Sequence, residues 1–258
     1  MGTGWDAKRK GGGCMSVKYV EPQTITFAAA NIDEAQKTKM TDDKIGTQAE
    51  FADVITLQIN ATLADSIAFF TVEAQEIYIK ITGEAGNVVF ERIVDFSHAD
   101  YTDIWGYFYD DFVFKDGLYL DIPITLNAVI DIEIRNPLQT AKIGHLVIGR
   151  SKAIGKMIGE PSTSIVDDST ETTDAEGNKT LTDNGYEELM NINIAINKKV
   201  ANAIKKSLKK IRSKTILWIA SGEDETLMAY GFYKELSLVY PKGDLGVYDL
   251  EIKERRAE

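Results

Sequence analysis

The chain has 258 residues, of which 44% are hydrophobic, and its formal net charge is −11. This length and composition are sufficient for a core in one large or two small domains. The acidic charge argues against a protein that binds nucleic acid over its whole surface, because phosphate groups require a cationic face. The one cysteine, Cys14, excludes an internal disulfide, and no run reaches the roughly 18 apolar residues of a membrane-spanning helix.

The N-terminal residues divide into a leader and an arm. Residues 1–14 are rich in glycine and basic side chains, which predicts a disordered leader, and Met15 is an alternative start of the chain. Over residues 15–44, apolar side chains recur at alternate positions, as at Val17 and Tyr19, which predicts an extended arm. We expect this arm to lack the apolar bulk for a core of its own and to serve in assembly.

Residues 45–150 read almost entirely as strands. Short runs rich in Ile, Val, Phe and Tyr are separated by turn formers such as residues 83–87, 115–117 and 135–137. In AVIDIEI, which begins at Ala128, isoleucines alternate with acidic residues, so one face of this strand is apolar and the other polar. Seven or eight such strands predict an antiparallel β-sandwich of jelly-roll type.

An aromatic and acidic loop interrupts these strands between Phe96 and Lys115. Aromatic rings beside carboxylates are typical of β-sandwiches that bind sugars, and paired aspartates are also calcium ligands. The alternative is that the rings cap one end of the sandwich or pack against a partner subunit. The candidate contacts to a host glycan are Trp105, Tyr107, Tyr109 and Asp110.

Residues 151–258 predict a second β-rich domain that contains a long acidic hairpin. Its candidate turn is residues 175–178, and its acidic residues include Asp167, Asp168, Glu171 and Asp174. Two interpretations remain open for these carboxylates. They keep the hairpin in solvent, or they make it an arm that contacts a neighbouring subunit.

A basic amphipathic helix is predicted at about residues 198–213. Val200, Ile204, Leu208 and Ile211 recur every three or four residues and form one apolar face. Lysines occupy the other face, and those proposed for an interface are Lys205, Lys206 and Lys209. This cationic face is in solvent, pairs with an acidic neighbour, or lines a channel that passes DNA.

Six segments of the chain carry a resemblance to a known family. They are DKIGTQAE at residues 43–50, HLVIGR at residues 145–150, the turn at residues 174–178, Trp218-Ile219, the YGFYK segment at residues 230–234, and LEI at residues 250–252. With these motifs, residues 15–254 resemble a family of bacteriophage tail structural proteins of the tail-tip or distal-tail type. The hairpin sequence VDDSTETTD departs from that family's pattern, because it lacks the aromatic and basic residues found there.

The resemblance implies a structural component of a virion tail that works by subunit assembly and is not an enzyme. It implies a homo-oligomeric ring, other phage tail proteins as partners, fibre attachment, and assembly in the host bacterial cytoplasm. It supplies no catalytic residue and no cofactor, and no metal site is expected. The alternative function is a carbohydrate-binding module that contacts a host surface glycan, and a glycan hydrolase is a third class.

Overall fold

The computed structural model describes residues 16–96, 117–173, 179–221, 225–239 and 244–254. The prediction of a mainly β protein is confirmed. The described residues form two α-helices, α1 (Glu34–Lys39) and α2 (Lys198–Lys210). No helix in these ranges is long and apolar enough to cross a membrane.

The strands of the first half precede residue 158. They are β1 (Ser16–Pro22), β2 (Thr26–Ala30), β3 (Ala49–Ala61), β4 (Ser66–Glu73), β5 (Glu76–Thr82), β6 (Val88–Asp95), β7 (Gly117–Asp121) and β8 (Ala128–Met157). Those of the second half are β9 (Ser162–Asp167), β10 (Thr170–Thr173), β11 (Lys179–Thr182), β12 (Tyr186–Asn197), β13 (Ile216–Ile219), β14 (Met228–Val239) and β15 (Leu245–Glu254).

One long strand organises the sheet. β8 is 30 residues long, and five strands (β3, β5, β4, β1 and β12) pair antiparallel with successive parts of it. The boundary predicted at residue 150 falls inside this strand, so the backbone passes from one half of the protein to the other without a break in the sheet. The main path of the sheet continues from β8 through β1, β13, β14, β15 and β12 to β9.

The buried side chains form three clusters along this sheet. The first lies between the strands of the first half and includes Ile55, Ile79 and Ile132. The second lies between α2 and the strands of the second half and includes Trp218. The third joins the two halves and includes Val20 together with other side chains of β4, β8, β13 and β14. Apolar contact between the halves is therefore continuous.

The expectation that residues 15–44 form a separate arm is wrong for its first strand. β1 pairs with β13 on one side and with β8 on the other, so it is an interior strand of the sheet. Val17, Tyr19 and Val20 are at most 1% exposed. The ring of Tyr19 lies 5.8 Å from that of Trp218. The alternation of apolar residues that predicted an extended segment marks a buried strand here.

Helix α2 lies at Lys198–Lys210, where a helix was predicted, and three of the four predicted apolar residues, Ile204, Leu208 and Ile211, pack in the second cluster. Asn197 caps its first turn by accepting a hydrogen bond from the backbone of Lys199 at 2.9 Å. Ala201, Leu208 and Ile211 are buried, whereas Val200 is 48% exposed. The prediction that Val200 belongs to the packed face is therefore wrong. Ala201, which is 1% exposed, packs in the second cluster in its place.

Candidate assembly surface

The acidic hairpin is a two-stranded ribbon that begins at the edge of the sheet. β9 pairs with the first half of β12, from Ser162 opposite Asn191 to Asp167 opposite Tyr186. β10 and β11 then form a separate pair beyond this point. β9 ends the main path of the sheet, and in the described part of the chain its only partner is β12. The ribbon therefore offers an unpaired strand edge, which is a template for another chain.

Side chains fix the joint between the two parts of the ribbon. The backbone of Ser169 donates to Asp167 Oδ1 at 2.8 Å. Hydrogen bonds from the side chain of Ser169 and then from its backbone lower the pKa of Asp167. The amide of Asn184 donates to the carbonyl of Asp168 at 3.0 Å. Gly185 has φ +83°, a left-handed conformation that glycine adopts without a steric penalty. The ribbon thus has a defined shape.

Large apolar side chains of the ribbon lie in solvent. Ile165 is 69% exposed, Val166 41% and Leu181 70%. All eight residues of β10 and β11 are exposed as well. A two-stranded hairpin is marginally stable in water without a surface to pack on. This combination favours a partner that covers the ribbon.

Three of the predicted acidic residues, Asp167, Asp168 and Glu171, lie on this ribbon. Asp167 and Asp168 are exposed at the joint, and Asp174 lies outside the described residues, as does the predicted turn at residues 175–178. Glu171 forms an ion pair of 2.6 Å with Lys179 on the opposite strand. Because that contact already holds its charge, Glu171 is less suited to bind a partner than the two aspartates.

The predicted basic residues lie on the outer face of α2. Lys205, Lys206 and Lys209 are exposed, and none of them forms an ion pair within the part of the chain that the structure describes. The first turn of α2 has lysines at positions 198 and 199 and no acidic residue. Cations in the first turn oppose the helix dipole, whereas Lys209 and Lys210 in the last turn complement it, so the dipole accounts for only part of the basic face.

Two tyrosines anchor α2 to the sheet. The hydroxyl of Tyr248 donates to the carbonyl of Ala201 at 2.8 Å, and that of Tyr233 donates to the carbonyl of Leu208 at 3.1 Å. These contacts hold both ends of the helix on β15 and β14. The lysines on its outer face are therefore presented by a rigid support.

The candidate glycan contacts Trp105, Tyr107, Tyr109 and Asp110 lie outside the described residues. The sequence reasoning did not identify the exposed apolar side chains of the ribbon, such as Ile165 and Leu181. Their signal was present, because β-branched and aliphatic residues occur there in a segment that is otherwise acidic and hydroxylated.

Comparisons with known proteins give little information. No family model matches the sequence, and no curated protein matches it. One similar solved structure is a mutant of the lectin binding domain of Lectinolysin complexed with Lewis b. It has 11% sequence identity and a TM-score of 0.34, and the match covers 52% of this chain and 99% of that chain. The lectin domain of Lectinolysin complexed with Lewis B antigen has the same identity and TM-score over 50% and 94% of the two chains. A TM-score this low indicates neither a shared fold nor a shared function.

Proposed function

We propose that this protein is a structural subunit of a bacteriophage tail and works by assembly with further copies of itself. The observation that carries the proposal is the ribbon of β9 to β12, which projects apolar side chains and a strand edge into solvent. In an assembly these groups are buried against a neighbouring subunit, and closure of a ring saturates every such edge.

Charge complementarity makes a second copy the preferred partner. The exposed aspartates at the ribbon joint, Asp167 and Asp168, match Lys205, Lys206 and Lys209 of α2, which form no ion pair among the described residues. Two different surfaces of one chain that complement each other form a head-to-tail contact, and such contacts generate rings when the rotation closes. Attraction between the two surfaces also speeds their encounter. The lysines of α2 then contact carboxylates of the neighbouring subunit. A channel that passes DNA is therefore not needed to explain their positive charge.

The sequence motifs extend this proposal from an assembling protein to a tail protein. The YGFYK segment at residues 230–234 lies in β14, and LEI at residues 250–252 lies in β15, which pairs with β14. With this role, the partners are other tail proteins, the location is the virion, and assembly takes place in the host bacterium. A protein that acts in this way needs no catalytic residue and no cofactor.

The test is the mass of the purified protein and its presence in particles. We expect multi-angle light scattering to give a discrete oligomer, and Ile165→Ser with Leu181→Ser to reduce it to monomers. Leu126→Ser is the matched control, because Leu126 is 58% exposed but lies outside the ribbon. Mass spectrometry of purified virions should find several copies per particle. A monomer at high concentration, or absence from the particles, contradicts the proposal.

A charge reversal separates the helix from the ribbon. We expect Lys205→Glu with Lys206→Glu and Lys209→Glu to weaken the oligomer, and Asp167→Lys with Asp168→Lys to do the same. Mixing the two variants pairs reversed helices with reversed ribbons, so hetero-oligomers should form. Lys156→Glu, at an exposed lysine outside α2, is the control. An oligomer whose mass is unchanged by all of these substitutions contradicts the proposed contact.

The alternative function is a carbohydrate-binding module, for which the sequence predicts a glycan site in the loop that contains Trp105. That loop lies outside the described residues. A different surface of the first half supports glycan binding, and it is compatible with a tail protein that contacts its host.

A further inference from the structure

The face of the first-half sheet that points away from the core carries polar side chains in regular cross-strand rows. β3, β8, β5 and β6 lie side by side, and their registers place directly opposed residues on the same face. One cross-strand row consists of Thr56, Glu133, Tyr78 and Ile93. The side chains between these positions, such as Ile77 and Ile132, point into the core and are at most 1% exposed.

The adjacent row has a similar polar character. It consists of Gln58, Asp131, Lys80 and Glu91 in the same strand order. Donors and acceptors therefore alternate along the row, with an amide and an ammonium on either side of the Asp131 carboxylate. Gln58 donates to Asp131 Oδ1 at 2.8 Å, so this pair is already oriented.

Neighbouring groups hold the first row in place. The hydroxyl of Tyr78 donates to Glu91 Oε1 at 2.7 Å, which fixes the ring. The guanidinium of Arg135 binds Glu133, and donates to Glu76 at 2.7 Å. Its central carbon lies 5.9 Å from the centre of the Tyr78 ring. The polar groups are thus organised before any ligand arrives, which reduces the entropy cost of binding.

Six residues of the two rows line an open groove on this face: Thr56, Gln58, Tyr78, Lys80, Asp131 and Glu133. Its volume is about 550 Å³, and the short side chains of Ala29 and Ala30 on β2 leave space at one end. The volume lies within the range of roughly 300–1,000 Å³ that is typical of small-molecule sites. Ile93, which is 59% exposed, lies directly opposite Tyr78 on β6 and adds an apolar surface beside the groove.

We propose that this groove binds a segment of a neutral oligosaccharide. The carboxylates of Asp131 and Glu133 accept hydrogen bonds from sugar hydroxyls, and Lys80 and Gln58 donate to them. The ring of Tyr78 and the side chain of Ile93 pack on the apolar C–H face of a pyranose. An anionic ligand is excluded, because it would meet the carboxylates of Asp131 and Glu133, which both line the groove. The proposal is independent of the assembly described above and of the loop that contains Trp105.

The test measures binding of four hexasaccharides to the full-length protein by isothermal titration calorimetry. The probes are α-1,4-linked glucose, β-1,4-linked glucose, β-1,4-linked mannose and β-1,4-linked N-acetylglucosamine. We expect at least one to bind, and Tyr78→Ala and Asp131→Asn each to weaken it at least tenfold. Tyr78→Phe should retain most of the binding, since it keeps the ring. Tyr186→Ala is the matched control, because Tyr186 is a 45% exposed tyrosine on the ribbon.

The remaining outcomes overturn the proposal. Failure of all four probes to bind does so, and so does binding that survives both Tyr78→Ala and Asp131→Asn. Loss of binding in Trp105→Ala but not in Tyr78→Ala would assign the glycan to the loop instead. Asp131→Asn preserves the shape of the side chain, so its effect is readable even if Tyr78→Ala lowers the melting temperature. Light scattering on the same samples measures the mass of the oligomer, so assembly and glycan binding are tested separately.

Discussion

The hydroxyl of Tyr230 donates a hydrogen bond of 2.7 Å to Asp43 Oδ1, across 187 positions of the chain. Tyr230 lies on β14 in the second half, and Asp43 lies in the segment between α1 and β3 in the first half. The tyrosine ring is fully buried in the cluster that joins the halves and packs 4.4 Å from the ring of His145 on β8. This contact ties together parts of the chain that no local pattern relates.

We expect Tyr230→Phe to lower the free energy of unfolding by about 1.5–3 kcal/mol, as loss of a hydrogen bond to a charged group does. The change removes the bond to Asp43 and keeps the ring and its packing in place. Urea denaturation measures the difference. Tyr78→Phe is the control, because its hydrogen bond to Glu91 lies at the surface and should contribute less. Equal effects of the two substitutions would show that the junction bond contributes no more to stability than the surface bond does.

The buried His145 predicts that stability depends on pH. Its side chain is 3% exposed, and burial lowers its pKa from 6.5 to about 4, partly offset by the nearby carboxylates of Asp43 and Asp42. The unfolded chain therefore binds a proton at a higher pH than the folded chain does. Stability from this group is complete above pH 6.5 and is lost as the pH falls towards 4.

The loss amounts to about 3 kcal/mol, because each unit of pKa shift corresponds to roughly 1.4 kcal/mol. Urea denaturation at a series of pH values from 7 to 4 measures it, with His145→Gln as the reference that cannot titrate there. We expect the gap between the two proteins to change with pH in this window. Parallel curves would show that His145 is not the titrating group.

The strands were predictable where their signal is local. In β8, Ile130, Ile132 and Ile134 are buried, as the alternation in AVIDIEI predicts. The prediction of a turn at residues 135–137 is wrong, because β8 continues through these residues. β3 pairs with Arg135 through Val54 and with Thr140 through Ala52, so the residues between bulge out of the ladder. The same residue types occur in β-bulges within a strand and in turns that reverse the direction of the chain. The sequence alone does not distinguish these two structures.

The candidate site was predictable to a similar extent. The acidic hairpin and the basic face of α2 follow from composition and from helical spacing, so their residues were identified. The role of β1 depends on its pairing with β8 and β13, which lie more than a hundred residues away in the chain. The groove on the outer face depends on the register of four strands. Neither relationship is contained in a local pattern.

Gly149 permits β1 and β8 to approach each other closely. A Cβ at this position would lie 2.2 Å from the carbonyl oxygen of Glu21 and 2.8 Å from Val20 Cγ1. We therefore expect Gly149→Ala to lower the free energy of unfolding by about 1–3 kcal/mol, as overpacking does. Thermal and urea denaturation measure the change. Ala153→Ser, at an exposed position of β8, is the control, and a stable Gly149→Ala protein would show that the strands can separate without cost.

The last prediction concerns β1 as an interior strand. Tyr19 is 1% exposed and packs against Trp218, which is itself fully buried. Tyr19→Ala should cost about 3–5 kcal/mol, as truncation of a buried aromatic side chain does, and deletion of residues 16–22 should abolish cooperative unfolding. Urea denaturation and circular dichroism measure both. Tyr186→Ala, which truncates an exposed tyrosine, should change stability much less. A cooperative fold after the deletion would restore the interpretation of this segment as a separate arm. We expect the loss of cooperativity because β1 lies between β8 and β13 in the sheet. Its deletion also removes Val17 from the second cluster and Val20 from the third.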